Sequence, residues 1–321
     1  MNHRLVTAAG AAPVRPTERV SPAPEVNPNA VVWRTPTPPT DAQAGDVWVN
    51  PKRGMEMVYV APGDFILGTS DAQIDAWLRE HPADEREFFE IEQPQCRVNL
   101  PGYWMGRTEV TNAQYERFVQ ATGRDAPDYW EGRKAPSGLG GFPVMCVCWD
   151  DASAYCAWAG ESLPTELQWE KAARGTDGRV FPWGSEWDRT RCRNFQVITG
   201  RAYASLSEWD TACENWMQAH DPVREGPTAV GSYPGGTSPY GCADMAGNVV
   251  ELCAEWYDKT AYQRYAKGDL TPPKTGDYIV VRGGSWGHGD PEDFRCANRD
   301  HDLPDNRDNI CYGFRCARGS A

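Results

Sequence analysis

The sequence has no long apolar run. It starts Met1-Asn2-His3-Arg4 and continues with Ala, Pro and Thr, so no segment reaches the length of a signal-peptide core or the roughly 20 residues of a membrane-spanning helix. We therefore expect a soluble, cytoplasmic protein without a membrane span.

Basic residues are scarce relative to acidic ones. The chain carries 32 Lys and Arg against 45 Asp and Glu, which gives a formal net charge of −13. Nucleic-acid binding needs clustered cations that contact phosphates, so this composition argues against a nucleic-acid partner. Neutral or cationic partners fit the charge better.

Dense cysteine spacing is also missing. Eleven Cys are spread over 321 residues, whereas domains held together mainly by disulfides are short and rich in cysteine. We expect a mixture of free and paired thiols. The length suffices for one large domain or two small ones with buried cores.

Prolines set the N-terminal segment apart. Because Pro lacks an amide hydrogen and disrupts helix interiors and central strands, residues 1–50 are predicted to be a poorly ordered tail or linker, followed by one domain over residues 51–321. The prolines in question are Pro13, Pro16, Pro22, Pro24, Pro28, Pro36, Pro38 and Pro39.

Local signals predict one hairpin and three helices. A Pro-Gly turn between alternating apolar residues predicts a hairpin over residues 55–67. Thr111 starts a first helix with a capping-box pattern, a second helix is predicted over residues 150–158, and Thr165 caps a third. After Gly175 the residues Gly, Pro, Trp and Asp dominate, so we expect long loops held by aromatic packing.

The last forty residues alternate between stereotyped blocks and short stretches of freer composition. The blocks are residues 281–286, 295–299, 304–307 and 313–318. A rigid core that holds the ends of loops allows their tips to vary, and this arrangement is typical of recognition surfaces.

Six motifs follow one another along residues 54–318. They are Met55 to Phe65, Gly106 to Asn112, Leu163 to Glu166 with Trp169-Glu170, Phe181 to Gly184, Asp244 to Glu251, and Arg282 to Trp286. Together they resemble the formylglycine-generating-enzyme (sulfatase-modifying factor) type of C-type lectin fold. The resemblance implies an α+β fold with few helices, short antiparallel strands and many irregular loops. It does not settle function, because this scaffold carries oxidases, sulfoxide synthases and binding proteins.

The metal-binding residues of those enzymes are missing. The oxidases of the family use copper held by two cysteines after the Gly-Gly-Ser block, and thiolates suit Cu(I). Here residues 286–294 contain no Cys, and His288 stands where the first thiolate would be. The iron-binding histidines of the sulfoxide synthases also lack a counterpart, since the five His show no paired helical spacing. We expect no copper site and no enzyme activity.

Ser285 satisfies the G-x-S-x-G pattern of hydrolase nucleophiles. That pattern requires a following helix, whereas residues 287–291 are rich in Gly and Asp. We expect Ser285 to be a turn or core hydroxyl.

The C-terminal blocks further resemble the variable proteins of diversity-generating retroelements, which keep fixed islands; here the islands are residues 282–286, 297–299, 304–307 and 313–315. The resemblance implies massive sequence variation between the islands, because adenines of Asn codons in a template are randomised. Such codons can yield Asp, His, Gly, Asn, Leu, Ile, Cys or Tyr, but never Lys, Gln, Glu, Met or Trp. All fourteen positions 287–290, 293, 300–303 and 308–312, called the slots below, hold residues of the first set. Glu292 is treated as fixed. The alternative is a polar loop that happens to be rich in Asp, Gly and His.

This resemblance implies a ligand-binding surface in the variable region, residues 282–318. Its aromatic residues Tyr312, Trp286, His288 and His301 are the expected anchors, because such groups bring large contact area at small entropic cost. Its aspartates favour a basic or hydroxyl-rich protein or other macromolecule, although aspartates that are merely solvated explain them equally well. The expected contact residues are Trp286, Gly287, His288, Gly289, Asp290, Asp293, Asp300, His301, Asp302, Leu303, Asp308, Asn309, Ile310, Cys311 and Tyr312.

The family resemblance also implies structural calcium. Asp244, Gly247, Val249 and Glu251 resemble a site made of side-chain and carbonyl oxygens, which suit Ca²⁺. Asn194 and Phe195 resemble the start of a second, weaker site, whose other ligands are not identified. The alternative for the first is a turn closed by Asp and Asn hydrogen bonds alone.

Cysteine pairing is implied in the same way. The family places a disulfide at Cys156 and Cys316, whereas Cys296 loses its family partner because residue 173 is Ala. If residues 143–149 form a strand, Cys146 and Cys148 share one face, and core burial is favoured over metal binding.

The sequence therefore predicts a non-catalytic ligand-binding protein that presents diversified C-terminal loops. The alternative is a divergent oxidase of the same family that acts on a cysteine or related thiol substrate.

Overall fold

The structure, a computed structural model, describes residues 27–51 and 53–319 as a mixed α+β fold. The strands are β1 (Val32–Trp33), β2 (Val47–Asn50), β3 (Met55–Val60), β4 (Gly63–Leu67), β5 (Cys96–Leu100), β6 (Tyr103–Gly106), β7 (Val250–Trp256), β8 (Ile279–Arg282), β9 (Asp300–Asp302), β10 (Tyr312–Gly313) and β11 (Ala317–Gly319). The helices are α1 (Asp71–Glu80), α2 (Asn112–Thr122), α3 (Trp149–Ala159), α4 (Glu166–Arg174), α5 (Phe195–Thr199), α6 (Leu206–Ala219), α7 (Pro222–Glu225) and α8 (Ala261–Tyr265). None of these helices combines the length and the apolar character needed to cross a bilayer.

A five-stranded sheet brings the two ends of the described chain together. Its order is β1-β2-β3-β6-β11, so the last strand joins, through β6, the sheet that begins with the first strand. Because side chains alternate along a strand, Met57 and Trp104 enter one core cluster while Val58 and Met105 enter another. The sheet is therefore packed on both faces.

β2 corrects the predicted domain boundary. Residues 47–50 are buried and pair with β3, so the folded domain begins before residue 51. The prolines that suggested a tail end at Pro39 and leave the apolar run from Val47 free to form a strand. Residues 1–26 of the predicted tail lie outside the described residues.

The predicted hairpin over residues 55–67 is also wrong. β3 lies in the five-stranded sheet, whereas β4 pairs with β5 in a separate two-stranded sheet, with Phe65 opposite Val98. The Pro-Gly turn thus carries the chain from one sheet to another. Alternating apolar residues identified both strands but could not identify their partners.

Cap residues determine the ends of α2, α3 and α4 as the sequence predicts. Thr111 accepts the amide of Gln114 in a capping box, and Thr165 caps α4 in the same way. Gly123 and Gly160 end α2 and α3 with φ of 75° and 72°, a conformation that glycine adopts without strain.

The variable region supplies two strands of a four-stranded sheet. Its order is β10-β7-β8-β9, with β10 parallel to β7 and β9 antiparallel to β8. β9 and β10 therefore lie at opposite edges, and each carries slots. The central strands β7 and β8 are mostly buried.

Candidate ligand-binding surface

Buried ion pairs anchor the islands to the rest of the fold. Arg299 donates from Nε and Nη2 to the carboxylate of Glu166, at 2.6 and 2.8 Å. Arg282 donates to Glu166 at 3.1 Å and to Glu170 at 2.7 Å. All four side chains are almost completely buried. These pairs tie β8 and the segment before β9 to helix α4.

Two further arginines continue this arrangement. Arg295 forms a two-point contact with Glu92 at 2.9 and 2.5 Å, and Arg315 forms one with Glu251 at 2.6 and 2.6 Å. Such planar, bidentate pairs hold position as well as charge. Arg307 differs, because its side chain is 40% exposed and donates to Asp151 at 2.8 Å.

Electrostatics keep Glu170, one buried acid of this frame, ionised. Burial alone would raise the pKa of Glu170, but the guanidinium groups of Arg282 and Arg174 hold it below its ordinary value. Removing one partner would strand a buried charge, which typically costs about 3–5 kcal/mol. The frame is therefore intolerant of change at its arginines.

Island glycines are required by geometry. Gly283 and Gly284 have φ of 98° and 66°, and a Cβ on Gly284 would lie 2.9 Å from the Asp293 carbonyl oxygen. A Cβ on Gly313 would lie 2.8 Å from the Val144 carbonyl oxygen. Neither a strained φ nor such a backbone clash is seen at slot Gly287, whose nearest neighbour would be the Cys311 sulfur at 3.2 Å. The backbone of this slot accepts a side chain.

Most of the expected contact residues reach the surface. Those that are partly or fully exposed are His288, Asp290, Asp293, Asp300, His301, Asp302, Leu303, Asp308, Asn309, Ile310, Cys311 and Tyr312. Trp286, Gly287 and Gly289 are buried. The exposed positions and the buried frame alternate along one stretch of chain.

An aromatic patch surrounds β9. His301 stacks on Tyr257 with ring centroids 4.4 Å apart and meets the edge of Tyr278 at 4.8 Å. Leu303 is 52% exposed and Tyr278 is 42% exposed. Tyr257 and Tyr278 lie outside the slots, and sequence reasoning did not identify them. These two tyrosines could be identified only from the pairing of β8 with β9, and the sequence does not show that pairing.

Slot aspartates cover backbone amides at the β9 edge. Asp300 accepts the His301 amide and Asp302 accepts the Leu303 amide, each at 2.7 Å. Edge strands with free amides are templates for unwanted strand pairing, and charged side chains oppose this. A partner at β9 therefore meets side chains rather than an open strand edge.

Tyr312 connects the two edges of the sheet. Burial raises the pKa of Tyr312, and the neighbouring Asp302 and Asp300 carboxylates raise it further. Its hydroxyl remains protonated and lies within hydrogen-bonding reach of Asp302. Slots that are distant in sequence thus share one surface.

Helix α6 contacts two of the three buried residues, Trp286 and Gly289. The sequence predicts Trp286 as an anchor, but the structure leaves only 1% of it exposed, with its ring 5.6 Å from that of Trp216 and its Nε1 donating to the Ile310 carbonyl. Gly289 lies under Trp209. As long as α6 remains in place, Trp286 offers no surface to a partner.

Sequence reasoning missed α6, the longest described helix, because the region after Gly175 reads as loops. Two signals were available. Ser205 accepts the amide of Glu208 as a helix cap, and Trp209 and Trp216 are spaced by seven residues, which is two helical turns.

A polar cluster lies at the start of the variable region. The amide and Oγ of Ser285 contact His288 Nδ1 at 2.9 and 2.8 Å, and the Gly287 amide donates to that Oγ at 3.2 Å. Burial lowers the pKa of His288, which favours the neutral ring as an acceptor. Ser285 therefore closes a tight turn, in keeping with its expected role as a turn or core hydroxyl.

The thiol of Cys311 lies beside this turn, within hydrogen-bonding reach of Ser285. Burial raises the pKa of Cys311 to about 12. At neutral pH the group is a protonated thiol, which is a poor nucleophile and metal ligand.

The predicted calcium ligands surround a buried excess of acid. Both oxygens of Glu251 accept from Arg315, while Asp244 Oδ2 accepts the Gly231 amide at 2.5 Å. Glu109, 1% exposed, accepts from Asn248 at Oε1, and its carboxyl group lies within hydrogen-bonding reach of Asp244. Burial raises the pKa of Glu109 and, with it, that of Asp244.

This arrangement fits a cation only in part. Three carboxyl groups face one arginine, so a proton or a hard cation would neutralise the surplus charge. Glu251 is already paired with Arg315, whereas Glu109, which the sequence did not suggest, and Asp244 are two carboxyl groups in contact, which need a shared proton or a cation between them. Within the described residues, no group of three or more His, Cys, Asp or Glu is arranged to hold a metal.

The second calcium prediction finds a simpler explanation. Asn194 is fully buried and caps α5, accepting the Val197 amide at 3.0 Å and donating to the carbonyls of Arg189 and Cys192. Phe195 is buried against Tyr203 and Trp216. These contacts account for both residues.

The cysteine predictions have mixed outcomes. The sulfurs of Cys156 and Cys316 lie 3.4 Å apart, close but beyond the roughly 2.05 Å of a disulfide bond, so that bond stays a prediction. Cys146 and Cys148 are buried, but residues 143–149 do not form the expected strand, because Cys146 adopts φ of 54°.

Comparisons with known proteins agree with this architecture. The sulfatase-modifying factor enzyme 1-like domain family (FGE-sulfatase) matches residues 43–320. The formylglycine-generating enzyme of Streptomyces coelicolor is 32% identical over 88% of this chain and 95% of its own. The hercynine oxygenase of Mycolicibacterium smegmatis is 31% identical over 81% of this chain and 60% of its own.

Other relatives are larger or share only the fold. The serine/threonine-protein kinase pkn1 of Chlamydia caviae is 31% identical over 82% of this chain, which spans only 38% of that protein. PvdO from Pseudomonas aeruginosa has a TM-score of 0.63 at 23% identity, covering 86% of this chain and 99% of its own. Treponema denticola variable protein 1 has a TM-score of 0.55 at 21% identity, covering 83% and 95%. The α+β fold predicted from the sequence is confirmed.

Proposed function

This chain belongs to the sulfatase-modifying factor enzyme 1-like family, and within it we propose that the chain is a non-catalytic ligand-binding protein with diversified C-terminal loops. One observation carries the proposal. Along residues 282–318, positions with buried, ion-paired or sterically required residues alternate with the slots, all of which except Gly287 and Gly289 are at least partly exposed. A binding protein that varies its tips needs this division.

The ligand is proposed to be a protein or other macromolecule with basic groups. The patch around β9 combines the exposed side chains of Tyr278, His301 and Leu303 with the carboxylates of Asp300 and Asp302. Aromatic groups supply contact area, and carboxylates select cations. This chemistry suits Arg or Lys side chains presented by a partner.

A test of diversification lies in the encoding DNA. The proposal expects a near-copy of the stretch for residues 282–318 beside a reverse transcriptase gene, with Asn codons of the AAY type at the slots. Absence of that copy, or a copy whose adenines do not coincide with the slots, would contradict diversification of these loops.

A divergent oxidase is the second candidate. It is favoured by the family's enzymes and by the proximity of Cys311, Ser285 and His288. Against it stand the protonated thiol and the engagement of His288 Nδ1 by the Ser285 turn. Purified protein is expected to bind no stoichiometric copper and to leave a cysteine peptide unchanged. Conversion of the peptide by this protein, lost in Cys311→Ser, would establish the oxidase instead.

Structural calcium is a separate proposal, centred on Asp244 and Glu109 rather than on Glu251. We expect millimolar CaCl2 to raise the thermal unfolding midpoint of the protein but not of Glu109→Gln. Equal midpoints with CaCl2 and with EDTA would argue that a proton alone neutralises the pair.

A further inference from the structure

The segment of residues 195–219, called the insertion because it carries the two helices α5 and α6 between the other motifs, contacts the variable region in two different ways. α5 uses the backbone of the slots: the Phe195 amide donates to the His288 carbonyl at 2.9 Å, and the Gln196 side chain donates to the Gly289 carbonyl at 2.5 Å. Carbonyl oxygens are present whichever residue occupies a slot. The attachment of α5 is therefore independent of slot identity.

α6 depends on slot identity. Trp209 packs directly on Gly289, so a Cβ at position 289 would lie 2.6 Å from Trp209 Cδ1 and 3.0 Å from its Nε1. Gly289 does not have a positive φ, so its backbone accommodates any L residue. The three atoms nearest to such a Cβ all belong to the Trp209 ring.

α6 is weakly held. None of its residues is classed as buried, and its contact side chains Trp209, Cys213 and Trp216 are only partly covered. The indole Nε1 of Trp209 is buried without a hydrogen-bond partner. A buried donor without a partner destabilises the packed arrangement. The packing of α6 on the variable region is therefore only weakly favoured.

The same helix hides an apolar surface. Trp216 of α6 covers one part of the Trp286 ring, and Gly226, which follows α7, covers another part, since a Cβ on Gly226 would lie 2.6 Å from that ring. Slot Gly287 follows Trp286 in the chain, and a Cβ on Gly287 would lie 3.2 Å from the sulfur of slot Cys311. Displacement of α6 would uncover the part of the Trp286 indole that faces Trp216, at the margin of the proposed binding surface.

We propose that α6 is a removable cover over the first slots and that the residue at position 289 determines whether it is closed. With glycine, α6 packs on the variable region and Trp286 is hidden. With a larger slot residue, α6 is displaced and Trp286 joins the surface, where it fits an aromatic or aliphatic side chain of a protein partner in the place of Trp216. The inference rests on the proposed function, since it assumes that position 289 varies.

Hydrogen exchange of the full chain, followed by mass spectrometry on peptides from residues 206–219, tests the proposal. Gly289→Asn is expected to speed exchange there by about tenfold or more, while peptides from β3 and β6 remain protected. The matched control is Gly141→Asn, because Gly141 is exposed, has no positive φ, and would place its Cβ no closer than 3.9 Å to Ala229. Unchanged exchange in residues 206–219 of Gly289→Asn would overturn the proposal.

A second variant covers the case in which Gly289→Asn unfolds the whole domain. Trp209→Ala removes the contact from the other side and leaves the variable region intact. It is expected to speed exchange in residues 206–219 and to increase the alkylation rate of Cys311 by iodoacetamide. If both rates match the unmodified protein, α6 is not a cover. These readouts need no ligand, so failure of the cover and failure of ligand binding are distinguishable.

Discussion

The islands and the slots of residues 282–318 share one backbone but are held by opposite kinds of contact. Island arginines such as Arg282 and Arg299 are buried and paired with carboxylates of α4. Slot residues such as His301 and Leu303 contact neighbours at the surface. Stabilising contacts are therefore concentrated at the islands, and the slots proposed to bind the ligand are held by contacts at the surface.

The largest expected difference is at the arginines. Arg299→Met leaves Glu166 with one cationic partner fewer in the core and is expected to lower the free energy of unfolding by about 3–5 kcal/mol. Arg307→Met removes a partly exposed cation from the buried Asp151, which keeps its contact with Arg124, and is expected to cost less, about 1 kcal/mol. Urea unfolding of both variants measures the difference. Equal losses would mean that the buried pairs do not form the frame.

The glycines give the next largest difference. Gly284→Ala forces a side chain onto φ of 66° and against the Asp293 carbonyl oxygen, and it is expected to cost about 1–3 kcal/mol. Gly141→Ala is the control, because this exposed glycine has ordinary φ and open space. Thermal unfolding compares them, and a Gly284→Ala protein as stable as the control would contradict the steric argument.

A pH dependence probes the acids packed against the frame. Burial and the adjacent Glu166 raise the pKa of Glu255 to about 8, so it is protonated in the folded protein at neutral pH. A raised pKa in the folded state means that its contribution to stability is complete below the unfolded pKa of about 4.3 and is lost as pH rises through 8.

Glu255→Gln keeps the acceptor for the Glu166 amide, 2.8 Å away, without the titration. Its unfolding midpoint is expected to fall less than that of the parent protein between pH 5 and pH 8. Parallel curves for the two proteins over this interval would exclude Glu255 as a source of the pH dependence.

The smallest effect is expected at the slots. Leu303→Asn changes a side chain that is 52% exposed, and it is expected to alter the free energy of unfolding by no more than about 0.5 kcal/mol. Urea unfolding of Leu303→Asn and Arg299→Met under the same conditions compares the loss of stability at a slot with that at an island. A loss above 2 kcal/mol would show that Leu303 belongs to the frame.

Features that depend on residues close together in the sequence were predicted well. Thr111 and Thr165 cap helices because their hydroxyls accept nearby amides, and both were recognisable from spacing. Partners distant in sequence were not recognisable. Nothing local to residues 55–67 shows that β3 and β4 join different sheets, or that the insertion folds back over Trp286.

The division between islands and slots was visible for a related reason. Glycines and arginines are the residues that tight turns and buried carboxylates demand, so their spacing marked the frame. Burial was not encoded in the same way. The sequence indicates that position 289 is free to vary, and the backbone of Gly289 has no positive φ. Trp209 nevertheless packs directly on Gly289, which the sequence does not show.

The most direct test substitutes each of residues 282–318 in turn by every other amino acid. Protease resistance then measures how much of each variant is folded. The account predicts that the exposed slots tolerate most substitutions, that position 289 tolerates them with increased cleavage in α6, and that the island arginines and glycines tolerate almost none. Equal tolerance at islands and slots, or lower tolerance at the slots, would contradict the claim that a rigid frame carries interchangeable tips.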